Sequence, residues 1–258
     1  MASQTLYLET QVIAHERQEV FALQLDAGTL QAALAQGIAA GDTIAVVDGA
    51  QDYFSCQVVQ ASPAGLLVRI AARPSTPTNR PRVHLVQGLS NDEAMDTIIR
   101  QVSELGVAGI LPFRSTFSPS IDPARNDELQ ARWQHLARYS ARQAGLAQAP
   151  DVGFVEPLED ACNTLAGFDA VVVCWEGEVA RSMDEAVAEL GLADVGSCDV
   201  ALVVGPRGGL TDAEMARIGS SNPRLATVSL GPAILRVETA GLVAPTLLIS
   251  ALGGLRRS

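Results

Sequence analysis

VALVVGPRGGLTDAEMARIG, residues 200–219, decides the fold class. Its first five residues are apolar and rich in valine, which reads as a short strand buried on both faces. Gly205, Pro206, Gly208 and Gly209 then break the strand. Thr211, with Glu214 three residues on, has the spacing of a capping box and opens a helix. Strand, glycine turn and helix form the repeating unit of an α/β sheet, and a strand apolar on both faces needs cover on both sides. Glycines at such a turn let a ligand approach the backbone and meet bare N–H groups. An ordinary βα turn would read the same way, so this stretch needs a second one beside it. It is not G-x-G-x-x-G, and no Walker motif exists, because all 18 basic residues are arginines.

The same alternation extends in both directions. Upstream, 84–89 and 107–113 read as strands. The helix between them opens at Ser90 and Glu93, again at capping-box spacing, packs on Met95, Ile98, Ile99, Val102 and Leu105, and stops at Gly106. A second amphipathic helix is expected over 127–144 on Leu129, Trp133 and Leu136. A strand at 169–175, a helix at 178–190, a strand at 226–231 and a last helix from about 233 complete the pattern. Such sheets bind ligands beyond the C-terminal ends of their strands.

The second stretch of interest is LGPAILRVETAG, residues 230–241. Gly231 and Pro232 turn the chain, and Arg236 and Glu238 then bring charge to the mouth of a helix. From 240 to 252 that helix is apolar almost all round, which implies burial in a core or a subunit interface. Charges there are costly unless paired or lining a site; a surface first turn favoured by the helix dipole is the plainer alternative. Glu104, near a helix C-terminus, is mildly out of place on the same dipole argument.

Residues 1–72 differ from the rest. Short alternating runs separated by Gly, Asp and Pro predict a small β-barrel-like unit, with a hairpin around Asp48 and Gly49. Residues 73–82, rich in Pro, Ser and Thr, read as a linker, and 83–258 as the α/β domain. The four cysteines are widely spaced and, with three histidines, show no metal-ligand spacing, so no metal is expected. No secretory signal or membrane span is legible, and a soluble, cytoplasmic protein is expected. A net charge of −11 opposes broad nucleic-acid affinity, so an RNA partner must meet a local patch.

Taken together, MDTIIRQVSELGVAGILPF, RWQHLARYSARQAG, VVGPRGGLTDAE and LGPAILRVETA resemble, in order and spacing, the SPOUT-class methyltransferases. The nearest resemblance is to the ribosomal RNA small-subunit methyltransferase E family, which methylates N3 of a uridine in 16S rRNA. It covers about 84–252; the first 72 residues match that family's PUA-like β-barrel in layout only. The resemblance implies a trefoil-knotted parallel sheet with helices on both faces, and S-adenosyl-L-methionine held in the knot. It places the cofactor against Gly205, Pro206, Gly208, Gly209, Leu230, Gly231, Ile234 and Leu235, with Trp175 and Glu176 as a further wall. It also implies a homodimer through the C-terminal helix, acting on 16S rRNA or the 30S subunit. Arg236 would then stabilise charge on the base or bind its phosphate. Glu238 would orient Arg236 or remove the N3 proton.

Arg114, Arg132, Arg138 and Arg142 are the candidate RNA contacts, although a solvated amphipathic helix would carry the same residues. This chain departs from the family pattern at Gln101, Phe117 and Arg207, where lysine, arginine and an acidic residue are usual. Two other readings stay open: a related methyltransferase with a different RNA target, and a non-catalytic RNA- or ribosome-binding protein that keeps the fold.

Overall fold

The computed structural model describes residues 5–8, 10–13, 16, 18–49, 53–72, 81–146, 148–178, 180–193 and 195–255. Most of the expected linker, 73–80, lies outside the described residues. The chain divides into two compact units, residues 1–76 with 145–148, and residues 77–144 with 149–258.

The first unit is built on β1 (Thr5–Tyr7), β2 (Phe21–Ala22), α1 (Ala27–Ala35), β3 (Thr43–Val47), β4 (Tyr53–Ser62) and β5 (Gly65–Ala72). Its five strands pair in the order β1-β3-β4-β5-β2. The expected hairpin is present, with β3 antiparallel to β4 from Thr43 opposite Gln57 to Val47 opposite Tyr53. Asp48 is buried after β3 and its carboxylate accepts from Ile13 N at 2.9 Å. A Cβ on Gly49 would sit 2.6 Å from the Thr10 carbonyl carbon, so glycine here permits close backbone approach. Helix α1 is not anticipated from the sequence. It is short and buries only Ala33, so no apolar stripe announces it; Asp26 caps it by accepting from Thr29 N.

The second unit contains β6 (Arg82–Gly88), α2 (Asp92–Leu105), β7 (Gly109–Arg114), α3 (Asn126–Gln143), β8 (Asp151–Val152), β9 (Glu156–Pro157), α4 (Leu158–Leu165), β10 (Ala170–Cys174), α5 (Met183–Glu189), β11 (Asp199–Val204), α6 (Asp212–Gly219), β12 (Leu225–Val228) and α7 (Val237–Ala251). Its sheet is parallel throughout, in the order β12-β10-β11-β6-β7-β8, with β9 also on β7. Alternate strand residues feed two cores. Leu85, Val172, Val200 and Leu202 pack with α2, α3, α5 and α7, whereas Val86, Val171, Ala201 and Val203 pack with α4 and α6. This is the covered parallel sheet that the valine-rich strands imply.

Three helix starts depart from the sequence reading, and the strand expected over 226–231 ends at Val228. Helix α2 is capped by Asn91, which accepts from Ala94 N at 2.9 Å, and not by Ser90. Ser90 is buried and its hydroxyl accepts instead from Arg207 N. Helix α5 begins at Met183 behind a Ser182–Glu185 capping box, because Glu178 and Arg181 before it are bonded to Thr227 and Ser229. Helix α7 begins at Val237, four residues later than expected, so 229–236 crosses the strand ends as extended and turn structure.

The strand order places a switch point at the C-terminal ends of β6, β10, β11 and β12. From β6 the chain runs outward to β7 and β8; from β10 it returns to fill the gap at β11, then passes to the far side of β10 as β12. Connections leave these ends in opposite directions and open a crevice there.

Candidate functional site

That crevice is a cleft of about 1530 Å³ lined by the ends of β10 and β11, the start of α2, Phe117 and Pro119 from the loop after β7, and residues drawn from 174–182, 204–210 and 229–240. Ligand pockets for a single small molecule are typically about 300–1,000 Å³, so this one has room for a second group.

Its floor is backbone. Gly208 and Gly209 both have positive φ, at 101° and 78°, a region where side chains are strained; Gly208 is exposed, and Gly209 N donates to Pro206 O at 2.9 Å, which closes the turn. Below them the backbones of β6 and β11 almost touch. A Cβ on Gly88 would lie 2.3 Å from Pro206 N. Gln87, fully buried at the end of β6, ties this junction together. Its Nε2 donates to Gly88 O at 3.1 Å and to Gly205 O at 3.2 Å. Sequence reading missed Gln87, although a lone polar residue inside an apolar strand is the signal that finds it.

One wall is the loop that follows β10. Trp175 is half-buried, Glu176 is exposed, and the Glu176 carboxylate stands over Gly209. The loop is fastened to β12. Glu178 accepts from Thr227 Oγ1 at 2.8 Å and from Ala180 N and Arg181 N, while Ser229 N donates to Arg181 O. The bonds from Thr227, Ala180 and Arg181 hold the Glu178 carboxyl below its usual range. Cys174 also lines the cleft, but burial pushes its thiol up to about 12, so it is not a thiolate nucleophile near neutral pH.

The opposite wall carries the charged pair of the second motif. Arg236 is exposed at the N-cap of α7, and Glu238 is half-buried in its first turn. No ion pair joins them among the described residues. All ten expected cofactor contacts line this cleft: Trp175, Glu176, Gly205, Pro206, Gly208, Gly209, Leu230, Gly231, Ile234 and Leu235, together with Arg236 and Glu238. Two loops about 25 residues apart in sequence are thus brought to one site.

The expected RNA contacts lie elsewhere, and none lines the cleft. Arg132 is held between α3 and α2, with Nη2 2.7 Å from Asp96 Oδ1 and Nη1 3.5 Å from Asp92. Arg138 is exposed on α3, and Arg142, one turn on, donates to the Arg138 carbonyl. Arg114 is half-buried at the end of β7. Glu104 is exposed and outside the cleft.

Glu214 does more than close a capping box. It is 6% exposed, and its Oε2 accepts from Thr211 N and Oγ1, both at 2.9 Å. Its Oε1 reaches across to β7's following loop and accepts from Thr116 N at 2.7 Å and Thr116 Oγ1 at 3.0 Å. Burial alone would raise this carboxyl; the bonds from Thr211 and Thr116 outweigh it and hold it below the usual glutamate range. Among the described residues no cluster of His, Cys, Asp and Glu could hold a metal ion, and no helix is long and apolar enough to cross a membrane.

The RNA methyltransferase domain family matches residues 77–249. The chain is similar to the ribosomal RNA small subunit methyltransferase E of Mycobacterium bovis, 33% identical over 218 residues, spanning 83% of this chain and 80% of the relative. The protein of the same name in Bacillus subtilis is 29% identical, over 63% of each chain. Among solved structures, a ribosomal RNA small subunit methyltransferase E from Neisseria gonorrhoeae, bound to S-adenosylmethionine, superposes with a TM-score of 0.64. It covers 96% of this chain and 97% of its own, at 20% identity, and shows that the fold is shared.

Proposed function

Because the chain belongs to the RNA methyltransferase family and groups with the ribosomal RNA small subunit methyltransferase E proteins, we propose that it transfers a methyl group from S-adenosyl-L-methionine to N3 of a uridine in 16S rRNA. The observation that carries this reading is the convergence of segments 205–209 and 230–236 in one cleft at the switch point of the sheet. The residues present suit the cofactor. The exposed backbone of Gly208 suits its polar atoms, Leu230, Leu235 and Trp175 offer apolar surface for an adenine, and Glu176 offers a carboxylate for ribose hydroxyls or a cationic amine.

The chemistry that S-adenosylmethionine supplies when bound is an electrophilic methyl group on a sulfonium. The chain must then make uridine N3 a nucleophile. Glu238 accepts the N3 proton, which frees the nitrogen lone pair for the methyl carbon. Arg236, across the N-terminal turn of α7, stabilises the negative charge that spreads onto the base carbonyls as the proton leaves. Its position at the exposed mouth of the cleft suits a group that meets incoming RNA.

Further parts of the reading follow from the same premise. Residues 1–72 form a PUA-like barrel that helps hold RNA, joined through 73–82 to a catalytic domain over 83–258. Segment 229–255 is threaded beneath loop 175–182 as a trefoil knot, in keeping with the bonds from Thr227 and Ser229 to that loop. Arg114, Arg132, Arg138 and Arg142 contribute phosphate contacts. The protein works in the cytoplasm as a homodimer through α7, whose outward Leu247 is 41% exposed in the single chain.

Calorimetric titration with S-adenosylmethionine and mass analysis of 16S rRNA from a deletion strain test the reading. Binding together with loss of one methyluridine supports it. An unchanged methylation level removes 16S rRNA as the target, and no cofactor binding leaves only a fold-sharing RNA-binding protein. Arg236→Ala is expected to abolish transfer while cofactor affinity changes less than threefold; equal loss of both would refute the division of roles.

A further inference from the structure

We propose that Phe117 is the platform on which the base of the substrate nucleotide stacks as it enters the cleft, a role that rests on the RNA methyl-transfer reading above. Phe117 lines the cleft and is 49% exposed, although the unit has two cores in which a phenylalanine would be wholly buried. Its ring lies against Gly208. A Cβ built on that glycine would be 3.2 Å from Phe117 Cγ, so the ring packs against the glycine turn while the residue stays half exposed.

The loop that presents Phe117 is fixed rather than draped. Thr116 is bound through both N and Oγ1 to the buried Glu214 carboxylate. Ser115 N donates to Ser118 Oγ, and Ser118 N to Ser115 O, closing a tight turn around positions 116 and 117. A buried carboxylate thereby couples the loop after β7 to the capping box of α6. That coupling holds an exposed aromatic ring at a set place over the glycine turn.

The surroundings say what the ring receives. Arg207, next to Gly208, and Arg236 on the far wall are exposed and line the same cleft, and neither is in an ion pair among the described residues. Ile234, 86% exposed, adds apolar surface at the mouth. An aromatic face flanked by arginines matches an unstacked nucleobase with its phosphates, because every base offers a π-face and every linkage an anion. A peptide partner of acidic character would use the arginines but not the ring.

The experiment uses the full chain loaded with S-adenosylmethionine and a uridine-containing RNA oligonucleotide, with RNA affinity, cofactor affinity and methyl transfer measured separately. Phe117→Ala and Phe117→Leu are expected to weaken RNA binding by roughly ten- to hundredfold, the range of one lost base stack, and to leave cofactor affinity within threefold. Phe117→Trp is expected to keep RNA affinity, and its added fluorescence, relative to wild type, to be quenched on RNA addition. Full affinity in Phe117→Leu would overturn the platform, since leucine keeps apolar bulk without a π-face. A loss of cofactor affinity in Phe117→Ala equal to the RNA loss would also overturn it, assigning the ring to the cofactor. If the wild type binds RNA but transfers no methyl group, the functional reading falls. The alanine, leucine and tryptophan affinities still decide the platform.

Discussion

Removing the Glu214 carboxylate strips the acceptor from four donors at once: Thr211 N and Oγ1 and Thr116 N and Oγ1. Two of those are backbone groups beside a buried site, and leaving them unpaired is costly. Glu214→Ala is expected to lower stability by roughly 3 kcal/mol in urea denaturation. Because its carboxyl titrates below the usual range in the folded state, its contribution is fully present above the unfolded value and is lost as pH falls through the lowered one. Glu214→Gln should therefore show a shallower loss of stability on acidification than wild type; an identical acid limb would show that the bonds from Thr116 and Thr211 do not set the titration. At this scale the sequence disclosed one half of the residue's work. The i, i+3 relation of Thr211 and Glu214 is local and legible, whereas Thr116 lies 98 positions away and only the folded sheet brings it into reach.

At the scale of elements, the junction of β6 and β11 is the most constrained point near the cleft. A side chain on Gly88 would run into the Pro206 backbone, which cannot swing aside as a flexible side chain can. Gly88→Ala is expected to cost about 3 kcal/mol by thermal or urea unfolding, at the upper end for overpacking, and to weaken cofactor binding because the 205–209 turn must shift. Unchanged cofactor affinity in a destabilised variant would separate the junction from the site. Strands β6, β10 and β11 and helices α2 and α3 were legible because their apolar period is long and their stops, such as Gly106, are chemical. The starts of α5 and α7 were not. Each sits behind a loop held by distant partners, as 175–182 is by Thr227 and Ser229, and apolar residues in such a loop imitate helix. Helix α1 was missed for the opposite reason, since it buries too little to leave a pattern.

Over the whole molecule, a net charge of −11 works against RNA, so affinity has to come from a few cations placed well. Arg207→Ala is expected to lower the salt dependence of RNA binding by about one unit of log–log slope, as loss of a single phosphate contact does. An unchanged slope would place Arg207 away from the backbone of the RNA. The outward face of α7 bears on assembly: Leu247→Arg should convert a dimer to a monomer in sedimentation, and a dimer that persists would move the interface off this helix. Taken alone, the sequence determined the α/β character of the larger unit, the β character of the first, the cleft-lining motifs and the kinship they carry, because apolar period, caps and glycine turns are written in neighbouring residues. Only the tertiary structure decided that 205–209 and 230–236 share one cleft, that Arg132 pairs with Asp92 and Asp96, and that Gln87 and Glu214 bind the site together. Those relations depend on which strand ends meet at the switch point, and strand order is set by the packing of the whole sheet, not by any stretch of chain within it.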